Sequence, residues 1–125
     1  MNINHLKTRI MKTRILSVLL IMGISSFAAF AGNKTEKFKV GGNCGMCETR
    51  IEKAAKSVDG VSSADWNQDS KMIEVTFDDN TIDVDAIHKA IAKVGHDTDK
   101  YAAADEVYDK LPACCKYERL SSDNR

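Results

Sequence analysis

Glu36-Lys37-Phe38-Lys39-Val40 alternates polar and apolar residues, the two-residue period of a short strand with Phe38 and Val40 facing inward. Gly41-Gly42-Asn43 breaks it. From Cys47 the period lengthens. Cys47, Ile51, Ala54 and Val58 fall at helical spacing and predict one buried stripe, with Glu48, Arg50, Glu52, Lys53 and Lys56 toward water. Asp59-Gly60 ends that helix, because glycine readily adopts the backbone turn past a carboxyl end. Val61–Trp66 and Met72–Phe77 alternate again, and the turn-like Asn67-Gln68-Asp69-Ser70-Lys71 joins them as a hairpin with Ala64, Trp66, Val75 and Phe77 inward. Asp83 caps a second helix whose buried face is Val84, Ile87, Ile91 and Val94, and Gly95 stops it. Residues 97–101 supply a short last edge strand. Strand, helix, strand, strand, helix, strand is the order of a split βαβ unit, an α+β fold with a four-stranded antiparallel sheet and both helices on one face.

Two segments flank this domain of residues 36–101. Residues 1–31 carry Lys7, Arg9, Lys12 and Arg14, then the apolar run Ile15–Ile24, then Ala29-Phe30-Ala31. Basic start, short apolar centre and small-x-small ending predict a signal peptide cleaved after Ala31 and export to the periplasm or the cell exterior. An uncleaved anchor is the rival, although the run falls short of the ~20 apolar residues a spanning helix needs. Met11 is an alternative start, since Met11-Lys12-Thr13-Arg14 is itself a complete basic region. Residues 102–125 form a tail in which Asp105 to Leu111 makes one or two helical turns, with Val107, Tyr108 and Leu111 packing back.

Charge changes the picture once residues 1–31 are set aside. They hold four of the 18 basic residues and none of the 18 acids, so the remainder is near −4. A mildly acidic, soluble mature chain has no electrostatic reason to bind nucleic acid or an anionic membrane. The acids Asp78, Asp79, Asp83 and Asp85 lack the glycine and terminal glutamate of a calcium loop, and read as turn and helix cap.

All four cysteines, Cys44, Cys47, Cys114 and Cys115, lie beyond residue 31. Cys44 and Cys47 fall between the first strand and the first helix. Unpaired N–H groups and the positive dipole end of a helix favour thiolates there, and the thiolate is the form that binds metal or attacks. Soft thiolates select copper(I), and also bind zinc, cadmium or mercury(II). Two of them suit near-linear coordination, whereas a closed zinc site needs four ligands.

Gly42-Asn43-Cys44-Gly45-Met46-Cys47, followed by Arg50-Ile51-Glu52-Lys53-Ala54, Gly60-Val61, Ala90-Ile91 and Val94-Gly95, resembles the heavy-metal-associated domain family. That family includes copper chaperones, amino-terminal domains of copper-transporting P-type ATPases and periplasmic mercuric-ion-binding proteins. The resemblance spans roughly Lys37 to Tyr101. It implies a ferredoxin-like fold, Cys44 and Cys47 as the two metal ligands, and a metal-transporting ATPase or other cysteine-bearing donor or acceptor as partner. Three positions depart from the family pattern. Gly42 or Asn43 stands where a methionine is usual, Met46 lies between the cysteines to pack under the loop, and His96 replaces the usual aromatic or lysine after the second helix. His96 is thereby a candidate third ligand or a hydrogen-bond partner tuning the thiolates, with an exposed loop histidine as the plain alternative. His88, mid-helix, reads as a surface residue.

Cys114-Cys115 lies outside the family's minimal domain. Folded over the loop, the pair would complete a three- or four-thiolate site favouring zinc, cadmium or a small copper(I) cluster; the alternative is a disulfide to the first pair or to a partner. The function expected is that of a non-enzymatic, exported metal carrier, copper(I) first, releasing its ion by ligand exchange. A thiol–disulfide oxidoreductase is the runner-up, since Cys-x-x-Cys at a helix start is also the redox geometry. Against it, the only proline is Pro112, far from the pair. A module in which the cysteines serve only as structural staples is the third reading.

Overall fold

The computed structural model describes residues 32–120; residues 1–31, on which the expected signal peptide and its cleavage after Ala31 fall, lie outside the described residues. The elements are β1 (Asn33–Lys39), α1 (Gly45–Lys56), β2 (Val61–Trp66), β3 (Met72–Asp78), α2 (Val84–Lys93), α3 (Asp105–Asp109) and a 3₁₀ turn, Ala113–Cys115. The sheet is antiparallel in the order β1-β3-β2. Phe38, Ala64, Trp66, Ile73, Val75 and Phe77 line its inner face. They meet Ile51, Ala54 and Ala55 of α1 and Ile87 and Ile91 of α2 in one core. Full burial of each isoleucine contributes roughly 1.5–3 kcal/mol.

Local chemistry explains the joints. The carbonyl oxygen of the Asn67 side chain accepts the Asp69 and Ser70 N–H groups at 2.9 and 2.8 Å, closing the β2–β3 turn. Asp83 caps α2 by accepting the Asp85 N–H at 3.2 Å. Gly95, at φ 106°, reverses the chain after α2 in a conformation side chains rarely adopt. Asp78 accepts from Asn80 N–H and the Thr81 hydroxyl, so that acidic stretch is a turn, as its spacing suggests.

Two expectations are corrected. Among the described residues the sheet has three strands, and the expected fourth, 97–101, shrinks to a single bridge between Val40 and Thr98. Its main chain stays beside β1, with Gly41 N–H on Asp97 O at 2.8 Å and Asp99 N–H on Lys39 O at 3.2 Å. It then turns at once. Thr98 N–H bonds to Tyr101 O, and the Thr98 hydroxyl accepts the N–H groups of Lys100 and Tyr101, which diverts the backbone from a ladder. The ferredoxin-like α+β class stands with that edge reduced. His88 is buried, not on the surface. Its ring stacks on Phe38 with centroids 3.8 Å apart, and Nδ1 sits 2.8 Å from the Thr98 hydroxyl that the returning chain brings over it.

Candidate metal centre

Cys44 is the residue just before α1, in extended backbone (φ −140°, ψ 175°), and its carbonyl accepts the Glu48 N–H at 3.0 Å. Its sulfur therefore stands over the open N-terminal turn. The Cys47 N–H is the main cause of a thiol lowered to about 7, helped by the Met46 N–H and neighbouring thiols against partial desolvation. Cys47, one turn in, is fully buried against the core, with Sγ 3.5 Å from that of Cys44.

Gly42 permits this closeness. A Cβ there would meet the Trp66 ring at 2.9 Å and the Cys47 Cβ at 3.2 Å. Trp66 in turn donates its indole N–H to Val40 O at 3.1 Å. The absence of the family's usual methionine at this point thus matches a large indole already filling the space under the loop. Met46 points outward, 53% exposed, instead of packing beneath.

The tail separates its two cysteines. Cys115 is fully buried, with Sγ 3.9 Å from Cys44 Sγ, and the sulfurs of Cys44, Cys47 and Cys115 all lie within 4.8 Å of one another. Burial, then the adjacent Cys47 and Cys44 sulfurs, push the Cys115 thiol well up. Cys114 is exposed, its Sγ 4.0 Å from Cys115 Sγ and 3.9 Å from Met46 Sδ. All four cysteines are free thiols.

His96 lies outside that sulfur group. It is buried, its Nδ1 is 2.7 Å from Gly41 O, and its ring stacks on Tyr117 at 5.4 Å. A carbonyl only accepts, so Nδ1 carries the proton, and burial lowers the ring's pKa toward the neutral form. His96 therefore steadies the backbone just ahead of the cysteine loop.

Residue patterning overlooked the groups that frame the loop. Asn43 donates from Nδ2 to Lys116 O at 2.9 Å, and its own carbonyl accepts from Gln68 at 2.8 Å. Gly41 lies flat under Tyr117, where a Cβ would come within 2.6 Å of the ring's Cδ2. The signals available were faint: a paired glycine before the first cysteine and a tyrosine two residues after the last.

A split βαβ domain that presents clustered thiols where its first strand enters its first helix defines a class of small heavy-metal-binding domains. Residues 37–97 match the model of the heavy-metal-associated domain. The copper chaperone CopZ of Staphylococcus aureus is 37% identical over 57 residues, 46% of this chain and 84% of that protein. Oxidized MerP from Ralstonia metallidurans CH34 is similar in structure (TM-score 0.51, 33% identity, 53% of this chain and 93% of that one). So is the N-terminal domain of a potential copper-translocating P-type ATPase from Bacillus subtilis in its Cu(I)-loaded state, at TM-score 0.50 and 25% identity over 53% of this chain and 84% of that one. The chain belongs to the heavy-metal-associated domain family.

Proposed function

We propose that the protein is an exported carrier of a soft metal ion, copper(I) foremost, held by Cys44 and Cys47 and passed on without enzymatic chemistry. The observation that carries this reading is the pair of sulfurs 3.5 Å apart at the start of α1. One of them is tuned toward thiolate near neutral pH and half-exposed, the other is anchored in the core. Thiolate sulfur is soft and matches copper(I), mercury(II), cadmium and zinc, with copper(I) suited to the lowest coordination number. The similarity to a copper chaperone and to a Cu(I)-loaded ATPase domain supports copper as the first ion to test.

Transfer proceeds by ligand exchange. A thiolate of the acceptor bonds to the ion as the bond to Cys44 breaks, and a second exchange then frees Cys47. The acceptor thiols give up protons, the released cysteines take protons up, and no electron changes hands. Cys44 leaves first because it is the accessible sulfur. The partner is a metal-transporting ATPase or another protein with paired cysteines. Export to the periplasm or exterior follows from the amino-terminal pattern of residues 1–31. Among the described residues no helix is long and apolar enough to cross a membrane.

The test is titration of the reduced protein with copper(I), zinc and mercury(II) against a competing chelator, alongside Cys44→Ser and Cys47→Ser. One-to-one binding lost in both variants is the expected result. Weak binding together with reduction of insulin disulfides would replace the carrier with an oxidoreductase. Cell fractionation with detection of the amino terminus checks export, and a chain retained in the cytoplasm with residues 1–31 intact refutes it.

A further inference from the structure

The family match ends at residue 97, yet the chain beyond it returns to the thiols. Several fixings hold that return. The Tyr117 hydroxyl donates to Gly95 O at 2.8 Å and accepts the Asp97 N–H at 2.7 Å. Tyr108 donates its hydroxyl to Tyr117 O at 2.6 Å. Asn43, beside the first cysteine, holds Lys116 O. Between these anchors the 3₁₀ turn, closed by Cys115 N–H on Pro112 O at 2.8 Å, aims Cys115 at Cys44 and Cys47.

We propose that Cys115 is a third thiolate ligand, so that this protein holds its soft ion in a three-sulfur site closed by its own tail. The proposal rests on the reading of Cys44 and Cys47 as the metal pair. Geometry supports it. With metal–sulfur bonds of about 2.3 Å, a linear ion would need its two sulfurs roughly 4.6 Å apart, and a trigonal one needs three sulfurs roughly 4.0 Å apart. Cys44 lies 3.5 Å from Cys47 and 3.9 Å from Cys115. The pair must open by about 1 Å to become linear. For the trio that pair need widen only about half as far, Cys44 and Cys115 already stand 3.9 Å apart, and all three sulfurs lie within 4.8 Å of one another.

The alternative for a buried cysteine is simple packing, since a free thiol behaves as a small apolar group. Packing alone does not account for the aim. Cys115 directs its sulfur at the half-exposed Cys44 on the rim of the core, and its chain is pinned by a side chain, Asn43, from the cysteine loop itself. A third sulfur also changes what release requires. An acceptor must displace a ligand set in a pinned turn, so the ion is held longer than by a loop pair alone. Cys114, exposed and outside the trio, is the internal control.

The experiment uses the full chain, reduced and loaded anaerobically with one equivalent of copper(I). Sulfur coordination is read by X-ray absorption, and affinity by chelator competition. Three sulfurs are expected in the wild type and in Cys114→Ser. Two are expected in Cys115→Ser and Cys115→Ala, with affinity at least tenfold lower. Two sulfurs in the wild type, or a loss of the third sulfur in Cys114→Ser, would overturn the proposal. So would a Cys115→Ser protein with unchanged coordination and affinity. In each of these cases Cys44 and Cys47 still stand as the metal pair. Loss of that underlying reading looks different: Cys44→Ser and Cys47→Ser would bind copper(I) as the wild type does. Should Cys115→Ser fail to fold by circular dichroism, the wild-type and Cys114→Ser sulfur counts decide by themselves.

Discussion

Arg119 forks onto the fully buried carboxylate of Asp97, Nε to Oδ2 at 2.7 Å and Nη2 to Oδ1 at 2.9 Å. The same carboxylate accepts the N–H groups of Ala103 and Leu120 at 2.7 and 3.1 Å. One acid thus ties the turn after α2 to both ends of the tail. Removing the cation leaves a buried charge short of its main partner. Arg119→Ala is expected to cost about 2–4 kcal/mol, measured as a lower urea midpoint, somewhat below the loss at a fully enclosed pair because Arg119 keeps 29% exposure. An unchanged midpoint would show that the tail's clamp adds nothing to stability.

Acid should undo the same clamp. Burial alone would raise the Asp97 carboxyl, but the Arg119 fork and the Ala103 N–H overcome it and hold it below the usual range. A depressed folded value means the contribution is complete above the unfolded value, near 3.9, and is lost as pH falls through the lower folded one. The stability gap between wild type and Arg119→Ala should therefore narrow as pH falls from 7 to about 3, beginning at the variant's own Asp97 value, which burial without the fork raises, and closing through the lower wild-type one. Urea midpoints taken across that range check it; a gap that widens toward acid contradicts the assignment.

The βαββα core was legible because its periods are clean. Ile51 and Ala54, Ala64 and Trp66, Val75 and Phe77, Ile87 and Ile91 all face inward as their spacing dictates. The last strand failed for a reason periodicity does not carry. Asp97 and Thr98 use their side chains to bond local backbone N–H groups, which turns the chain after one bridge. His88 was misread because its partners, Phe38 and Thr98, lie far away along the chain and cover it only after folding. Of the site, the spacing of Cys44 and Cys47 was visible, whereas the inward aim of Cys115 and the outward one of Cys114 depend on tertiary anchors such as Tyr117 and Asn43.

Gly41 and Gly42 should fail differently when given a side chain. At Gly42 a Cβ meets Trp66 and Cys47, so Gly42→Ala strains the core under the pair and is expected to cost about 1–3 kcal/mol. At Gly41 the atoms it meets first belong to the Tyr117 ring, so Gly41→Ala should expel the tail and leave the core. Limited proteolysis distinguishes them, with new cleavage between residues 112 and 120 expected for Gly41→Ala alone. Equal tail cleavage in both would refute this division.

His96→Ala removes the donor to Gly41 O and the stack on Tyr117. The expected result is a loss of about 2–3 kcal/mol in unfolding free energy, from packing and an orphaned carbonyl. Copper(I) stoichiometry should remain one to one, because the ring stands outside the sulfur group. A halved stoichiometry with intact stability would instead move the imidazole among the ligands.

Cys44 and Cys115, 3.9 Å apart, should react with iodoacetamide at opposite ends of the pH scale. The Cys47 N–H at the opening of α1 brings Cys44 down to about 7, whereas burial drives Cys115 up. Alkylation requires the thiolate, so its rate follows the deprotonated fraction and the access to the sulfur. Peptide mapping of the reduced, metal-free protein should show Cys44 labelled with a midpoint near pH 7, below that of an ordinary thiol. Cys115 should stay unlabelled at pH 9 while the protein remains folded, and become reactive in urea. A Cys44 midpoint at the ordinary thiol value would remove the helix terminus as the source of its thiolate. Full labelling of Cys115 at pH 8 would show that the tail is not closed over the pair, and with that the ready-made third sulfur would be gone.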